Sequence, residues 1–276
     1  MRIVRAETIQ KAVADLCVEA NLVLRKDVAD ALSSAYRKET NTRAKDILRA
    51  IIDNAKIAKK EKLAICQDTG MPVVFLEIGQ DAHIKGDVKA AVNRGIEDGY
   101  RRASLRNSIV REPLARGASG YTPAVIHTDS VKGSRIKITV LPKGFGCENK
   151  SQLTMFKPTV DLGEVKKFII DAVKAAGPDA CPPYIVGVGI GGTADYASLL
   201  AKKALLRKLE TRNPKLGALE KELESSINKL NIGPMGLGGQ VTALAVHIET
   251  FPTHIAGLPV AVNISCHALR SASIIL

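Results

Sequence analysis

The side chains in this sequence best able to do chemistry are its five cysteines, Cys17, Cys66, Cys147, Cys181 and Cys266. They are odd in number, spread over the whole chain, and no two form a Cys-x-x-Cys pair. That spacing disfavours a zinc ribbon, and in a reducing compartment it points to thiols, metal ligation or catalysis rather than bridges. Cys66 stands before Gln-Asp-Thr-Gly, Cys181 before Pro-Pro, and Cys266 between Asn263-Ile-Ser and His-Ala-Leu-Arg270, so irregular backbone is expected around each of the three. Cys17 falls on the apolar side of a helical repeat and reads as a core residue. Loop thiols can converge in a folded chain, and widely separated single cysteines are one way of holding an iron–sulfur cluster.

A second candidate is the run Gly187-Val-Gly189-Ile-Gly191-Gly192, which formally matches the dinucleotide pattern Gly-x-Gly-x-x-Gly after a strand and before a helix. The rest of that fingerprint fails. The acidic residue expected about 20 positions further on should end a second parallel strand, yet the corresponding stretch, Arg207-Lys-Leu-Glu-Thr-Arg-Asn-Pro214, is polar and has no strand character. What survives is a helix start with Thr193 at the N-cap, which suits an anion or a close-packed neighbour, or simply a tight strand-to-helix turn.

The elements that position these residues alternate. Ile9, Val13, Leu16 and Ala20 share one helical face, and Ile47, Ile51, Ala55 and Ile57 suggest another in the segment beginning near Asn41. Strands are expected at Val73–Ile78, Ala124–His127, Arg135–Leu141, Tyr184–Val188, Val241–Ile248 and Val260–Ile264. Helices are expected at Asp87–Leu105, Leu162–Ala176, Ala194–Leu209 and Leu216–Leu230. The stretch Lys143–Lys150 reads as a loop and Gly233–Gly239 as a glycine-rich segment. With no repeat, low-complexity tract or linker, the pattern predicts an α/β fold with a mixed sheet and a helical N-terminal layer, spanning residues 1–276 as a single domain.

At 276 residues the chain can bury a core without disulfides or zinc. It has no apolar run long enough for a membrane span and no apolar leader after Met1, so a cytoplasmic protein without membrane contact is expected. Forty basic against 28 acidic residues give a net charge of +12. The basic residues interleave with acidic ones along helical stretches, no tryptophan is present and only 4% of residues are aromatic, which argues against a nucleic-acid partner. A small anionic substrate fits part of the charge, and solvated helix faces account for the rest.

Taken together, Cys66-Gln-Asp-Thr-Gly70, Leu105-Arg-Asn-Ser108, Gly146-x-x-Asn-Lys150, Ala180-Cys-Pro-Pro-Tyr184, Gly191-Gly-Thr193, Leu237-Gly-Gly-Gln240, His254 and Ile264-Ser-Cys266 resemble, in order, the motifs of the α subunit of the iron–sulfur-dependent class I fumarate hydratases and the related L-tartrate dehydratases. The resemblance runs from about residue 10 to the end. It implies a [4Fe-4S] cluster held by Cys66, Cys181 and Cys266, with a fourth iron open to act as a Lewis acid. Cys147 stands where the family more often has a small residue such as serine, and is left outside the ligand set.

The implied reaction is reversible trans addition of water to fumarate, giving (S)-malate, or the equivalent loss of water from tartrate. The resemblance places Gln67 and Asp68 beside the substrate, with Asp68 as acid/base partner of the reacting hydroxyl. It makes Arg106 a carboxylate clamp and makes Gly146 and His254 further substrate contacts. Taken singly, Asp68 is also a turn-capping residue, Arg106 a surface arginine and His254 a loop histidine. Single-chain members carry a second domain that supplies a catalytic threonine and further cationic contacts. The resemblance therefore implies a separate β subunit, an α2β2 assembly and a small dicarboxylate substrate.

Overall fold

The computed structural model describes residues 2–276. In chain order it contains β1 (Arg2–Arg5), α1 (Ala6–Leu22), α2 (Lys26–Lys38), α3 (Thr42–Glu61), β2 (Met71–Gly79), β3 (Ala82–Lys85) and α4 (Val88–Arg102). There follow β4 (Ile109–Glu112), β5 (Arg116–Gly120), β6 (Val125–Val131), β7 (Ile136–Lys143), the one-turn α5 (Phe145–Glu148), β8 (Gln152–Phe156) and α6 (Leu162–Ala176). The remainder is β9 (Tyr184–Gly192), α7 (Ala194–Ala204), α8 (Gly217–Asn228), a 3-10 turn at Pro234–Gly236, β10 (Ala243–Thr253), β11 (Leu258–Ser265) and β12 (Ala272–Ile275). The α/β expectation holds. Among the described residues no helix is long and apolar enough to cross a membrane.

The chain divides into two compact units, neither continuous in sequence: one takes residues 2–25, 54–145 and 270–276, the other residues 26–53 and 146–269. The first unit carries a mixed sheet in the order β12-β7-β2-β6, in which β2 runs parallel to β6 and antiparallel to β7. Ile9, Val13 and Leu16 of α1 and Val92 and Ile96 of α4 bury against Val74, Leu76, Ile138 and Val140 of that sheet. At two glycines of α4 the helices approach to backbone distance. A Cβ on Gly95 would lie 2.5 Å from the Gln10 carbonyl oxygen, and one on Gly99 2.6 Å from that of Ala14.

The second unit carries the sheet β10-β9-β11-β8, with β9 and β10 parallel and β11 antiparallel to both β9 and β8. Val165, Ile169 and Val173 of α6 and Leu223 and Ile227 of α8 join Val186, Val188, Val246, Ile248, Val260 and Val262 in one core. Asp161 caps α6 by accepting from the Glu164 amide at 2.9 Å, which fixes the start of that helix where the sequence places it.

Several expectations are corrected. The glycine run is the strand β9 itself and not a loop after it. A Cβ on Gly187 would come within 2.1 Å of the Ala201 carbonyl oxygen and one on Gly189 within 2.0 Å of that of Ala197, so these glycines let α7 lie directly on the strand. Of the readings open for that segment, the close-packed neighbour is the one observed. Thr193 does occupy the N-cap position of α7, but its hydroxyl donates to Asp195 at 2.6 Å and caps no amide. In α3 the buried face is Ala44, Leu48, Ile51 and Ala58, leaving Ile57 exposed, because the helical period runs through Leu48 and not through Ile47. Residues 145–148 form a helical turn inside the expected loop, and β12 had no strand prediction.

The core of the second unit encloses an ionisable cluster. Glu220, fully buried, accepts from Arg207 Nη1 at 2.7 Å and from the amides of Ile248 and Asn213 at 2.8 and 2.9 Å. His247, next to Ile248 in sequence and as buried as Glu220, faces the Ala204 carbonyl through Nδ1 at 3.2 Å, while its Nε2 has no hydrogen-bond partner. Burial, with Arg207 adding to it, pushes the imidazole down from 6.5 to about 4. The folded state keeps His247 neutral where the unfolded state protonates it. This contribution to stability is therefore complete above the unfolded value and is lost as pH falls toward 4. Denaturant unfolding between pH 7 and 4 should show the wild-type chain losing about 3 kcal/mol more than His247→Gln. Independently, Gly189→Ala should cost about 3 kcal/mol at neutral pH, because the Ala197 carbonyl must move to admit the methyl.

Candidate functional site

In the first unit the chemistry is concentrated on the loop after α3. Cys66 is half-buried, Gln67 exposed and Asp68 half-buried, and both Asp68 carboxylate oxygens accept backbone amides. Oδ1 takes the Gly70 N–H at 2.9 Å, closing a turn on itself, and Oδ2 takes the Phe145 N–H at 2.8 Å. Gly70 adopts φ +76°, and a side chain there would strike the Pro142 carbonyl carbon at 2.6 Å, so the Asp-Thr-Gly sequence is required by backbone shape as well as by charge.

Thr69 is buried and works through both ends. Its hydroxyl donates to the Arg106 carbonyl at 3.2 Å and its own carbonyl accepts from Tyr100 Oη at 2.8 Å. Burial pushes the Tyr100 hydroxyl well above its ordinary value, so it is held as a donor. The Arg106 backbone is thereby tied to the Asp68 loop while its guanidinium remains exposed. At the other end of the loop, the Ile65 amide donates to the Asn21 carbonyl at 3.0 Å, anchoring the residue before Cys66 to buried α1.

In the second unit Cys181 adopts φ +56° ahead of Pro182-Pro183. Its carbonyl accepts from the His267 amide at 3.4 Å and lies 3.0 Å from His267 Nδ1, which must carry a proton to donate to it. Cys181 and Cys266 are thus brought to one place by the residue that follows Cys266. The glycine-rich segment supports the same turn. Met235 donates its amide to the Pro182 carbonyl at 2.8 Å, and Gly236, at φ +76°, sits where a Cβ would be 2.2 Å from Pro178. Lys150 pairs with Asp179 at 2.9 Å, which gives the Asn-Lys pair of that motif a structural partner beside the Cys181 turn.

Gly146 and His254 also belong to the second unit. Gly146 is exposed, with open space where a side chain would stand. His254 lies on the exposed turn between β10 and β11. Its Nδ1 accepts the Ala256 amide at 3.2 Å, so Nε2 is the ring nitrogen available as a donor.

The five cysteines separate cleanly. All are thiols; Cys17 and Cys147 are buried while Cys66, Cys181 and Cys266 are half-buried. Cys17 is pushed up to about 12 by burial, and Cys147 donates its Sγ–H to the Ala180 carbonyl at 3.4 Å. Among the described residues no three His, Cys, Asp or Glu side chains gather as ligands of a single metal ion. An iron–sulfur cluster asks for a different donor set, thiolates that each bind a separate iron. Three accessible loop thiols fit that chemistry and the two core thiols do not. Sequence patterning missed Asn21, Tyr100 and Arg270, which are buried polar residues behind the Asp68 loop. Their only signal is a polar side chain at a position where helix periodicity or a strand flank calls for an apolar one.

A sequence profile described as fumarate hydratase (fumerase) matches residues 10–275. A protein of Methanocaldococcus jannaschii named as a candidate L(+)-tartrate dehydratase subunit alpha is 42% identical over 273 residues, covering 96% of each chain. The L(+)-tartrate dehydratase subunits alpha of Escherichia coli strains K12 and UTI89 are 30% and 31% identical, covering 91% and 90% of this chain and 84% of each relative.

The burial contrast predicts an ordered labelling pattern. Native chain treated anaerobically with a neutral alkylating reagent should take label at Cys66, Cys181 and Cys266 within the period in which Cys17 and Cys147 stay unmodified, read by peptide mass spectrometry. Equal labelling of all five would contradict the assigned burial.

Proposed function

The chain belongs to the fumarate hydratase (fumerase) family, and on that premise we propose that it is the α subunit of an iron–sulfur hydro-lyase that removes water from L-tartrate, with fumarate hydration as the second reading. The Asp68 loop carries the proposal: a half-buried thiol stands two residues from a carboxylate whose oxygens are fixed by two backbone amides. Tartrate is placed first because the curated relatives bear that name at up to 42% identity over nearly the whole chain.

We assign Cys66, Cys181 and Cys266 to a [4Fe-4S] cluster, which when bound supplies Lewis-acid help to a departing hydroxyl. The remaining work falls to side chains. Loss of water from a hydroxy-dicarboxylate requires a proton to leave the carbon next to one carboxylate and hydroxide to leave the neighbouring carbon, so negative charge builds beside a group already charged. Arg106, exposed on a backbone tied to the Asp68 loop, offers a bidentate guanidinium to that carboxylate. Gln67 supplies an amide that can both donate and accept, Gly146 a backbone N–H with no side chain in the way, and His254 an Nε2–H donor.

Asp68 holds or delivers the proton of the reacting hydroxyl. Each of its oxygens already accepts one amide, which fixes the carboxylate plane and leaves a lone pair on each oxygen for the substrate. The base that removes the carbon-bound proton belongs to the β subunit. The name "subunit alpha" borne by the relatives supports that division, and we propose an α2β2 assembly.

Anaerobic co-expression with the β subunit, followed by assay of both acids under argon, tests the reading. Turnover of L-tartrate in preference to fumarate is expected, with none from the α chain alone; inactivity toward both acids would overturn it. Asp68→Asn should lower kcat by about 100-fold or more while leaving iron and acid-labile sulfide unchanged. Cys66→Ser, Cys181→Ser and Cys266→Ser should each abolish cluster reconstitution and Cys147→Ser should not. Cluster loss in Cys147→Ser would refute its exclusion.

A further inference from the structure

We propose that Arg270 is a positioning residue for Asp68: from behind the loop it sets the carboxylate that the proposed reaction uses, a role that rests on the reading of Asp68 given above. Arg270 is almost fully buried, and Asn21, Gly144 and Asp68 belong to its own unit. Its Nη1 donates to Asn21 Oδ1 at 3.2 Å. Its Nη2 faces Gly144, on the same side of that residue as the Asp68 carboxylate. A Cβ built on Gly144 would lie 3.3 Å from Asp68 Oδ2 and 3.6 Å from Arg270 Nη2. Gly144 does not adopt a left-handed conformation, so glycine is needed there for space rather than for backbone freedom. Its bare side leaves the carboxylate and the guanidinium facing one another across a gap that a methyl group would fill.

The partners of Arg270 extend the argument to the rest of the loop. Asn21, which takes the guanidinium on its side-chain oxygen, donates through Nδ2 to the Cys17 carbonyl at 2.9 Å and accepts the Ile65 amide on its own carbonyl at 3.0 Å. Tyr100 holds the Thr69 carbonyl, and its hydroxyl senses Arg270 and Asp68 with opposite sign. Residues 65 and 69 are therefore held by one buried cluster, and Arg270, its cation, faces the residue between them that carries the carboxylate. A buried guanidinium that loses its place leaves a charge and several donors without compensation, so the cluster has one favourable arrangement. The carboxylate in front of it is accordingly pre-oriented before substrate binds.

The test reads geometry and turnover separately. Amide hydrogen exchange at Gly70 and Phe145, whose N–H groups rest on the Asp68 oxygens, is compared in the anaerobic αβ complex for wild type, Arg270→Lys, Arg270→Gln and Gly144→Ala, with β9 amides as the folding control. Exchange at both amides should accelerate about tenfold or more with β9 unchanged. In the same samples kcat should fall about tenfold or more with KM within about twofold and iron content constant. Should Arg270→Gln fail to fold, Arg270→Lys and Gly144→Ala decide the matter. Unchanged exchange, or altered exchange with unchanged kcat, overturns the proposal. If the wild-type complex turns over neither acid while exchange still responds, the functional reading fails and the control of Asp68 by Arg270 stands.

Discussion

A carboxylate that accepts one backbone amide from two residues on and another from 77 residues away is the constraint around which the first unit is organised. A side chain on Gly144 would press on the Asp68 oxygen that takes the Phe145 amide, and the Gly70 amide reaches the other oxygen from a left-handed conformation packed against Pro142. The loop is further tied by Thr69 to Tyr100 on α4 and to the Arg106 backbone, and by Ile65 to α1. Charge-assisted bonds of this kind are strong and directional, so a flexible acidic side chain becomes a fixed group. In the second unit the Cys181 carbonyl plays a comparable part, holding the His267 amide and ring and so the chain next to Cys266.

Much of this was legible in the sequence, for identifiable reasons. Helix α6 was readable to the residue because Asp161 and Gly177 punctuate it at both ends. Cys66, Cys181 and Cys266 are readable as loop thiols from the turn residues around them and Cys17 as a core thiol from helical periodicity, whereas Cys147 falls in an expected loop and its burial is not readable. The glycines of β9 misled because glycine reports either conformational freedom or close approach, and only the position of α7 says which. Ile57 misled because counting apolar residues cannot tell one helical face from its neighbour when both carry isoleucine. Asn21, Tyr100 and Arg270 are invisible in the sequence because a buried polar residue is recognised by its partners, and the Tyr100–Thr69 and Arg270–Asn21 pairs are separated by 31 and 249 residues.

Chemical accessibility and burial sort the basic residues as they sort the thiols. Many of the 40 lysines and arginines are exposed and pair with neighbouring acids along helices, such as Lys26 with Asp30 and Lys167 with Asp171. Pairs of that sort contribute little. Two arginines are set apart by position: Arg106, exposed on a backbone fixed to the Asp68 loop, and Arg270, buried behind it.

The first unit has its last strand and Arg270 in residues 270–276, after the whole of the second unit has been spelled out in the chain. Synthesis runs from the N-terminus, so α1, α4 and the β2-β7 pair leave the ribosome long before the strand that lies beside β7 and the guanidinium that meets Asn21 across 249 residues. Closing so long a loop is slow compared with forming the local helices. Until residue 270 has left the ribosome, the newborn chain therefore holds the Asp68 loop without its cation, and the second unit, whose last residue is 269, has the opportunity to fold first.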